Sequence, residues 1–420
     1  MNDYVRNIAN LFSGNIAAQL IAFSALPFLT IFYTPDEVGK IGIAIAGIAI
    51  TSVLMVLRLD IFLLTVEKPF LFTSASTAMK ITLLQFFVLA VICYLSAPFF
   101  EELVGRRISP LEYGAILVGG LIASLALIFN SIFCRLREFG VIIKSTIWKS
   151  IVLASLQIGL GIIGFAKGLW VAELSSRTAQ LVTLYVYGGR IRKSNLKAYG
   201  CAEFFENAKP FMIHTTFASL ISTFALFLPV IVLPSILTIE LAGIYFLTTQ
   251  LVHTPSSMLS QSVSKVFSTE FVDSSSRDSK GLFYRTFFGL FLISGVIIFA
   301  GLILLPLISN LIPEQWQELN NILDIVLISA WPILCVSSLS QSFNLIGKQK
   351  YLIVSEVTKL ILIASCLIYL GLNEDNFDLR DAVIALVMCS YVGYIIQFTL
   401  MMTLISQRSK TGSCAAHEKS

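Results

Sequence analysis

The sequence predicts an all-α integral membrane protein with about twelve transmembrane helices in two six-helix bundles. Composition is the first reason. Hydrophobic residues make up 56% of the 420-residue chain, charged residues only 13%, and the mean hydropathy is +0.84. A soluble domain carries about 25% charged residues, so an ordinary globular protein is excluded. The second reason is length: apolar stretches recur, each near the roughly 20 residues that cross a bilayer at about 1.5 Å per residue. The third is charge: basic residues fall almost entirely in alternate connections.

The stretch 11–33 opens the series. Its charged flank is weak, with Arg6 and the amine, and the apolar run is too long for a signal peptide. It reads as the first membrane helix. Further spans follow at 41–63, 80–100, 113–133, 146–165 and 169–187, then at 211–233, 241–263, 286–308, 323–344, 353–372 and 382–405. The longest basic connection follows the sixth span. It divides the chain into a first bundle (1–190), a cytoplasmic linker (191–210), a second bundle (211–405) and a cytoplasmic tail (406–420).

Orientation follows from the positive-inside rule. With the N-terminus in the cytoplasm, the inner segments hold all but six of the 29 Lys and Arg residues; Lys40, Arg106, Arg107, Lys167 and Arg380 lie outside, and Arg177 lies within a span. Both termini are expected inside. The net charge of +4 therefore follows a membrane pattern and implies no nucleic acid.

Features recur across the two halves. The first span carries Pro27 and the seventh Pro229; each is followed by a short outer turn with an acid shortly before a glycine, Glu37 to Gly39 and Glu240 to Gly243. The fourth and tenth spans end alike, with Asn130, Arg135 and Phe139 against Asn344, Lys348 and Tyr351. These matches suggest parallel repeats related by an axis along the membrane normal, and proline-interrupted helices at matching places point to a binding region.

Polar residues inside the spans are the candidate site. Glu173 and Arg177 are four apart in an otherwise apolar stretch, hence on one helix face. A charge at that depth costs roughly 2.5–3.5 kcal/mol on insertion scales, so it faces protein or a wet cavity. Either the pair is a neutralised structural contact, or Arg177 lines a cavity and its planar fork meets an anionic group such as a phosphate. Arg58 and Asp60 close the second span. Two residues apart, they do not share a face, and the apolar run beyond them suggests that the helix continues. They read as interface anchors or as a basic inner rim of the cavity. Asn15 and Gln19 share a face of the first span, either as interhelical glue or as cavity lining. His253, mid-depth in the eighth span, is either a hydrogen-bonded interior residue or a protonation site for ion coupling, a role Glu173 could share. Lys144 and Lys149 read as snorkelling anchors at the inner end of the fifth span.

No enzyme site is legible. The three histidines accompany no nucleophile motif, no phosphate-binding glycine loop is present, and the seven cysteines are scattered without metal-ligand spacing. No metal or cofactor is implied.

The stretch LFSGNIAAQLIAFSALPFLTIFYTPDEVGKIGIAIAGIAITSVLMVLRLDIFLLTVEK (11–68) resembles the opening of the O-antigen flippases (Wzx-type) of the polysaccharide transporter family. Gly14-Asn15, Gln19, Pro27, the Tyr33-to-Asp36 turn, Gly39 and Arg58-Leu59-Asp60 carry the resemblance, and the twelve-helix plan extends it over nearly the whole chain. The resemblance implies a flippase in a bacterial inner membrane. Its cargo would be an oligosaccharide repeat unit linked to undecaprenyl diphosphate, moved from the cytoplasmic to the periplasmic leaflet. Proton or sodium coupling is implied by analogy with the wider superfamily. The alternative on the same plan is an ion-coupled small-molecule or drug antiporter, which would favour a deep acidic residue, with Glu173 the candidate.

Overall fold

The computed structural model describes residues 3–104, 108–165, 167–191, 201–273, 278–309, 312–346, 348–373 and 377–417. These residues are helical almost throughout and cross back and forth twelve times. The crossings are built from α1 (Asp3–Ser24) with α2 (Leu26–Phe32), α3 (Pro35–Val56) with α4 (Leu59–Thr65), α5 (Leu71–Leu95) with α6 (Ala97–Val104), α7 (Pro110–Leu136), α8 (Phe139–Ile162) and α9 (Gly168–Ile191). After α10 (Cys201–Pro210) come α11 (Thr216–Ile236), α12 (Ile239–Asp273), α13 (Asp278–Ser309), α14 (Gln317–Cys335) with the short α15 (Ser342–Leu345), α16 (Gln349–Gly371) and α17 (Leu379–His417). Nine of these crossings are long and apolar enough to span a bilayer by composition alone. The first is shorter, while α9 and α12 are diluted by the polar residues that make them interesting.

Local chemistry sets the turns. Thr34 caps α3: its hydroxyl accepts from the Glu37 amide, the Glu37 carboxylate accepts from the Thr34 amide at 3.0 Å, and Pro35 fills the first helical position, where no amide is needed. Ser109, Pro110 and Glu112 repeat this box at the start of α7. The two prolines flagged in the halves differ in form. Pro27 sits in the first turn of α2, just after the break at Ala25, whereas Pro229 lies inside a continuous α11.

By internal contacts the chain forms two compact units, Met1–Ser235 and Ile236–Ser420, so the seventh crossing groups with the six before it. Within the first unit α7 packs on α3, α5 and α9, and α8 packs along α9. Within the second, α14 packs on α12, α13 and α17, and α16 packs along α17. These pairings recur at the same places in the order of crossings, as a parallel repeat requires. The third and ninth crossings turn large apolar side chains outward, among them Phe87 and Val296, as lipid-facing helices do.

Close helix approach rests on small residues, because packing rather than the hydrophobic effect joins helices in lipid. A Cβ on Gly120 would meet Thr51 Oγ1 at 2.3 Å, so α7 and α3 touch backbone to side chain there. Gly14 abuts Ile143, and Phe32 abuts Gly161. The first crossing thus lies parallel to α8 in constant register, and the Tyr33 hydroxyl locks its end by donating to the Gln157 carbonyl at 2.9 Å.

Candidate functional site

α9 carries the central feature. Arg177 lies about 14 Å along the helix from Gly168, at mid-length. Its Nε donates to Glu173 Oε1 at 2.6 Å, and a terminal guanidinium nitrogen reaches the same oxygen at 2.6 Å. Both side chains are largely sheltered, 16% exposed for Arg177 and 10% for Glu173. The one-turn spacing read from the sequence therefore closes into an ion pair.

A third charge lies nearby on α8, which packs along α9: Lys149, within electrostatic range of both Arg177 and Glu173. This corrects the expectation that Lys149 is a terminal snorkelling anchor. It stands about 15 Å along α8 from Phe139, too deep for its stem to bring the ammonium past the helix end. Lys144, one turn into α8, holds its ammonium over the Tyr187 ring, 5.4 Å from the centroid. The register of the first crossing brings Gln19, partly exposed, to the level of Trp148 and Lys149. The Asn15 side chain lies outside the described residues.

The second span does not run on as one helix. Leu57 (φ 47°) and Arg58 (φ 52°) are both left-handed, and α4 starts anew after them. Two consecutive non-glycine residues in this region cost about 1–2 kcal/mol each. Packing holds them there: Leu59, Phe62 and Leu63 of α4 are buried against Ile128, Ile132 and Phe204, with the Phe62 and Phe204 rings edge to face at 5.4 Å. The break overturns the expectation that Arg58 and Asp60 point apart. Their charged groups approach to 3.7 Å, and Arg58 Nε donates to Ser219 Oγ on α11 at 2.7 Å. Asp60 Oδ1 is buried without a hydrogen-bond partner.

His253 lies in the second unit. Its Nε2 is 2.9 Å from Ser329 Oγ on α14, and that hydroxyl donates to the Val326 carbonyl at 2.6 Å. Ser329 is thereby left as the acceptor, and Nε2 of His253 carries the proton. His253 and Glu173, both considered for ion coupling, belong to different units.

One pair was missed. Lys359, placed among the inner basic residues by the sequence reading, is about 15 Å into α16 and only 9% exposed. Its Nζ is 3.2 Å from Glu356 Oε1 and 4.3 Å from the centroid of the Tyr394 ring, while Gln397 Nε2 donates to the same Glu356 oxygen at 3.4 Å. Glu173 is therefore not the only deep acid. Glu356 was legible three residues before a lysine inside the span 353–372, the signal that exposed Glu173 and Arg177. The excess of inner basic residues remains large without Lys149 and Lys359.

No protein-family model matches the chain, and no curated protein matches it by sequence. Solved structures do match. A multidrug resistance MATE family transporter of the MOP superfamily, in its inward-facing conformation, superposes with a TM-score of 0.68 over 96% of this chain and 95% of that one, at 15% identity. A MOP superfamily transporter from Pyrococcus furiosus Vc1, distinguished by a binding pocket of reversed polarity, gives 0.63 over 96% of each chain at 14% identity. The MATE transporter ClbM in complex with Rb+ gives 0.60 over 97% of each at 14%. The chain thus has the fold of these multi-pass membrane transporters, twelve crossing helices in two bundles.

Proposed function

We propose that this protein is a flippase for a glycan carried on a polyprenyl diphosphate, moving it from the cytoplasmic to the periplasmic leaflet of a bacterial inner membrane by alternating access. The observation that carries the reading is the Glu173–Arg177 pair, sheltered at mid-length of α9, with a further base, Lys149, deep in the adjacent α8. A surplus cation kept at that depth against its insertion cost suits an anionic cargo. A glycan diphosphate cannot cross hydrocarbon unaided, while its lipid tail need not leave it. Arg58, Asp60, Gln19 and Asn15 are the further cavity candidates, and His253 or Glu173 the candidates for proton or sodium coupling. Both termini are placed in the cytoplasm, and transport rather than catalysis is the activity. The resemblance over 11–68 supports a polysaccharide pathway, O-antigen or a related glycan.

The second reading is an ion-coupled antiporter of small organic molecules. It is favoured by the multidrug resistance transporter and the Rb+ complex among the structural neighbours. Proteoliposomes separate the two. The flippase reading expects labelled undecaprenyl-diphosphate oligosaccharide in the outer leaflet to become inaccessible to an added glycosidase at a rate set by the protein. Movement of ethidium-type cations against an imposed ion gradient, with no movement of the glycolipid, would establish the antiporter instead.

A further inference from the structure

Arg58 stands between two partners and serves one. Its Nε donates to Ser219 Oγ at 2.7 Å, in the first turn of α11, while its terminal nitrogen lies 3.7 Å from Asp60 Oδ2, too far for a hydrogen bond. Asp60 is 7% exposed, and its Oδ1 has no hydrogen-bond partner. A buried carboxylate oxygen without a donor is costly, more so than an unpaired neutral group. The stronger acceptor is thus left short of a donor two residues away, while the guanidinium holds a neutral hydroxyl on another helix.

Both segments that meet there depart from regular helix. Leu57 and Arg58 are left-handed, which sets the guanidinium within reach of both partners; an unbroken helix would turn residues 58 and 60 to different faces. α11 is entered through one π-helical turn, Phe211–Thr215, just after Pro210, and Thr216 Oγ1 donates five residues back to the Phe211 carbonyl at 3.3 Å. Turns of this kind are rare and frequent at functional sites. Phe62 of α4 packs its ring on Phe204 of α10 at 5.4 Å and on Phe211 of the turn at 5.8 Å. These apolar contacts seat the approach to α11 on the first unit, and the Arg58–Ser219 bond carries the hold onto α11 itself. α11 then delivers the chain to Ile236, where the second unit begins.

We propose that Arg58 is a two-position latch on the seventh crossing. Bonded to Ser219, it holds the start of α11 on the second crossing. Turned to Asp60, it gives the orphaned carboxylate a donor, lets go of Ser219 and frees α11 to move. The exchange trades one contact of the cation for another, so the two positions lie close in free energy, as a reversible latch requires. The latch needs a transporter that alternates between states, but no particular cargo.

The test is amide hydrogen exchange on the purified full-length protein in nanodiscs, read on peptides covering the start of α11, with peptides from the middle of α9 as the internal control. Exchange there reports local opening. Ser219→Ala removes the partner that holds the latch and is expected to speed exchange at the start of α11 about tenfold, the worth of one charge-assisted hydrogen bond. Ser219→Thr keeps a hydroxyl and should stay near wild type. Asp60→Asn removes the competing partner, so Arg58 stays with Ser219 and exchange should slow. The opposite signs of the two changes are what a supporting role for Asp60 would not produce. Equal exchange in wild type and Ser219→Ala overturns the latch. Faster exchange in Asp60→Asn assigns the carboxylate to support of the turn and overturns the two-position reading. Failure of Asp60→Asn to fold does the same, because the latched state would then depend on the acid it leaves unpaired. No cargo enters the measurement, so its outcome is independent of the flippase reading.

Discussion

Arg177 brings two of its nitrogens to a single oxygen of Glu173, each at 2.6 Å, one turn apart on α9. The contact fixes the guanidinium plane against its own helix. It accounts for how the charge survives at that depth, because the pair is neutral as a unit.

Substitutions in pairs separate structure from transport. The Glu173→Gln/Arg177→Gln double variant removes both charges and keeps shape and hydrogen bonding. It is expected to reach wild-type levels in the membrane and to lose at least about tenfold in glycan export, in line with a lost charge-assisted contact. Arg177→Lys keeps the charge without the planar fork and should retain partial activity. Export is measured as surface glycan in a strain lacking the native gene, normalised to membrane protein. Full export by the double variant would remove Arg177 from the site.

Arg58 makes a different demand, since its backbone is left-handed as well as its side chain charged. Asparagine adopts that conformation more readily than most residues. Arg58→Asn is therefore expected to keep the backbone turn and to reduce transport, at a stability cost of about 1–2 kcal/mol or more for the lost contacts with Ser219 and Asp60, whereas Arg58→Val should cost more by also crowding a β-branched side chain at positive φ. Ser219→Ala removes only one neutral partner of Arg58 Nε and should cost about 1–2 kcal/mol. Thermal unfolding in detergent and transport assays on the same preparations decide this.

If His253 couples a proton to transport, His253→Gln should keep the hydrogen bond to Ser329 and lose the response to pH. The expected result in proteoliposomes is unchanged flipping without a gradient and no stimulation by an imposed one. Stimulation equal to wild type would assign the coupling elsewhere, with Glu173 tested next.

Gly120 tests the packing. A methyl there meets Thr51 Oγ1 at 2.3 Å and the Ser52 amide nitrogen at 3.5 Å, so α3 and α7 must separate. Gly120→Ala is expected to destabilise by about 1–3 kcal/mol, as overpacking typically does. Gly114→Ala, on the same helix with open space beside it, is the control and should be neutral or slightly stabilising.

Topology is checked by reporter fusions at Ser309, Asn373 and Ser420. Ser309 and Asn373 should activate a periplasm-only reporter, and Ser420 should not. Activity at Ser420 would invert the orientation drawn from the basic residues.

The class of fold was legible in the sequence because a bilayer constrains every crossing in the same local way: length, low charge and backbone closure within one helix are all properties of contiguous residues. The twelve crossings, the Thr34-Pro35 turn and the Glu173–Arg177 pair are all local in this sense. What the tertiary structure decided lies between helices or in the torsions of single residues. Arg58 and Asp60 meet because Leu57 and Arg58 turn left-handed under the packing of α4 on α7, which no helical spacing rule contains. Lys149 reads as an anchor from its span boundary and becomes a half-buried charge deep in the helix once α8 is seen to start at Phe139 and to lie along α9. Lys359 changes in the same way, paired with Glu356 and covered by a ring from α17. A charge inside a membrane takes its meaning from its partner. When the partner sits one turn away the sequence states it, and when it comes from another helix only the packing does.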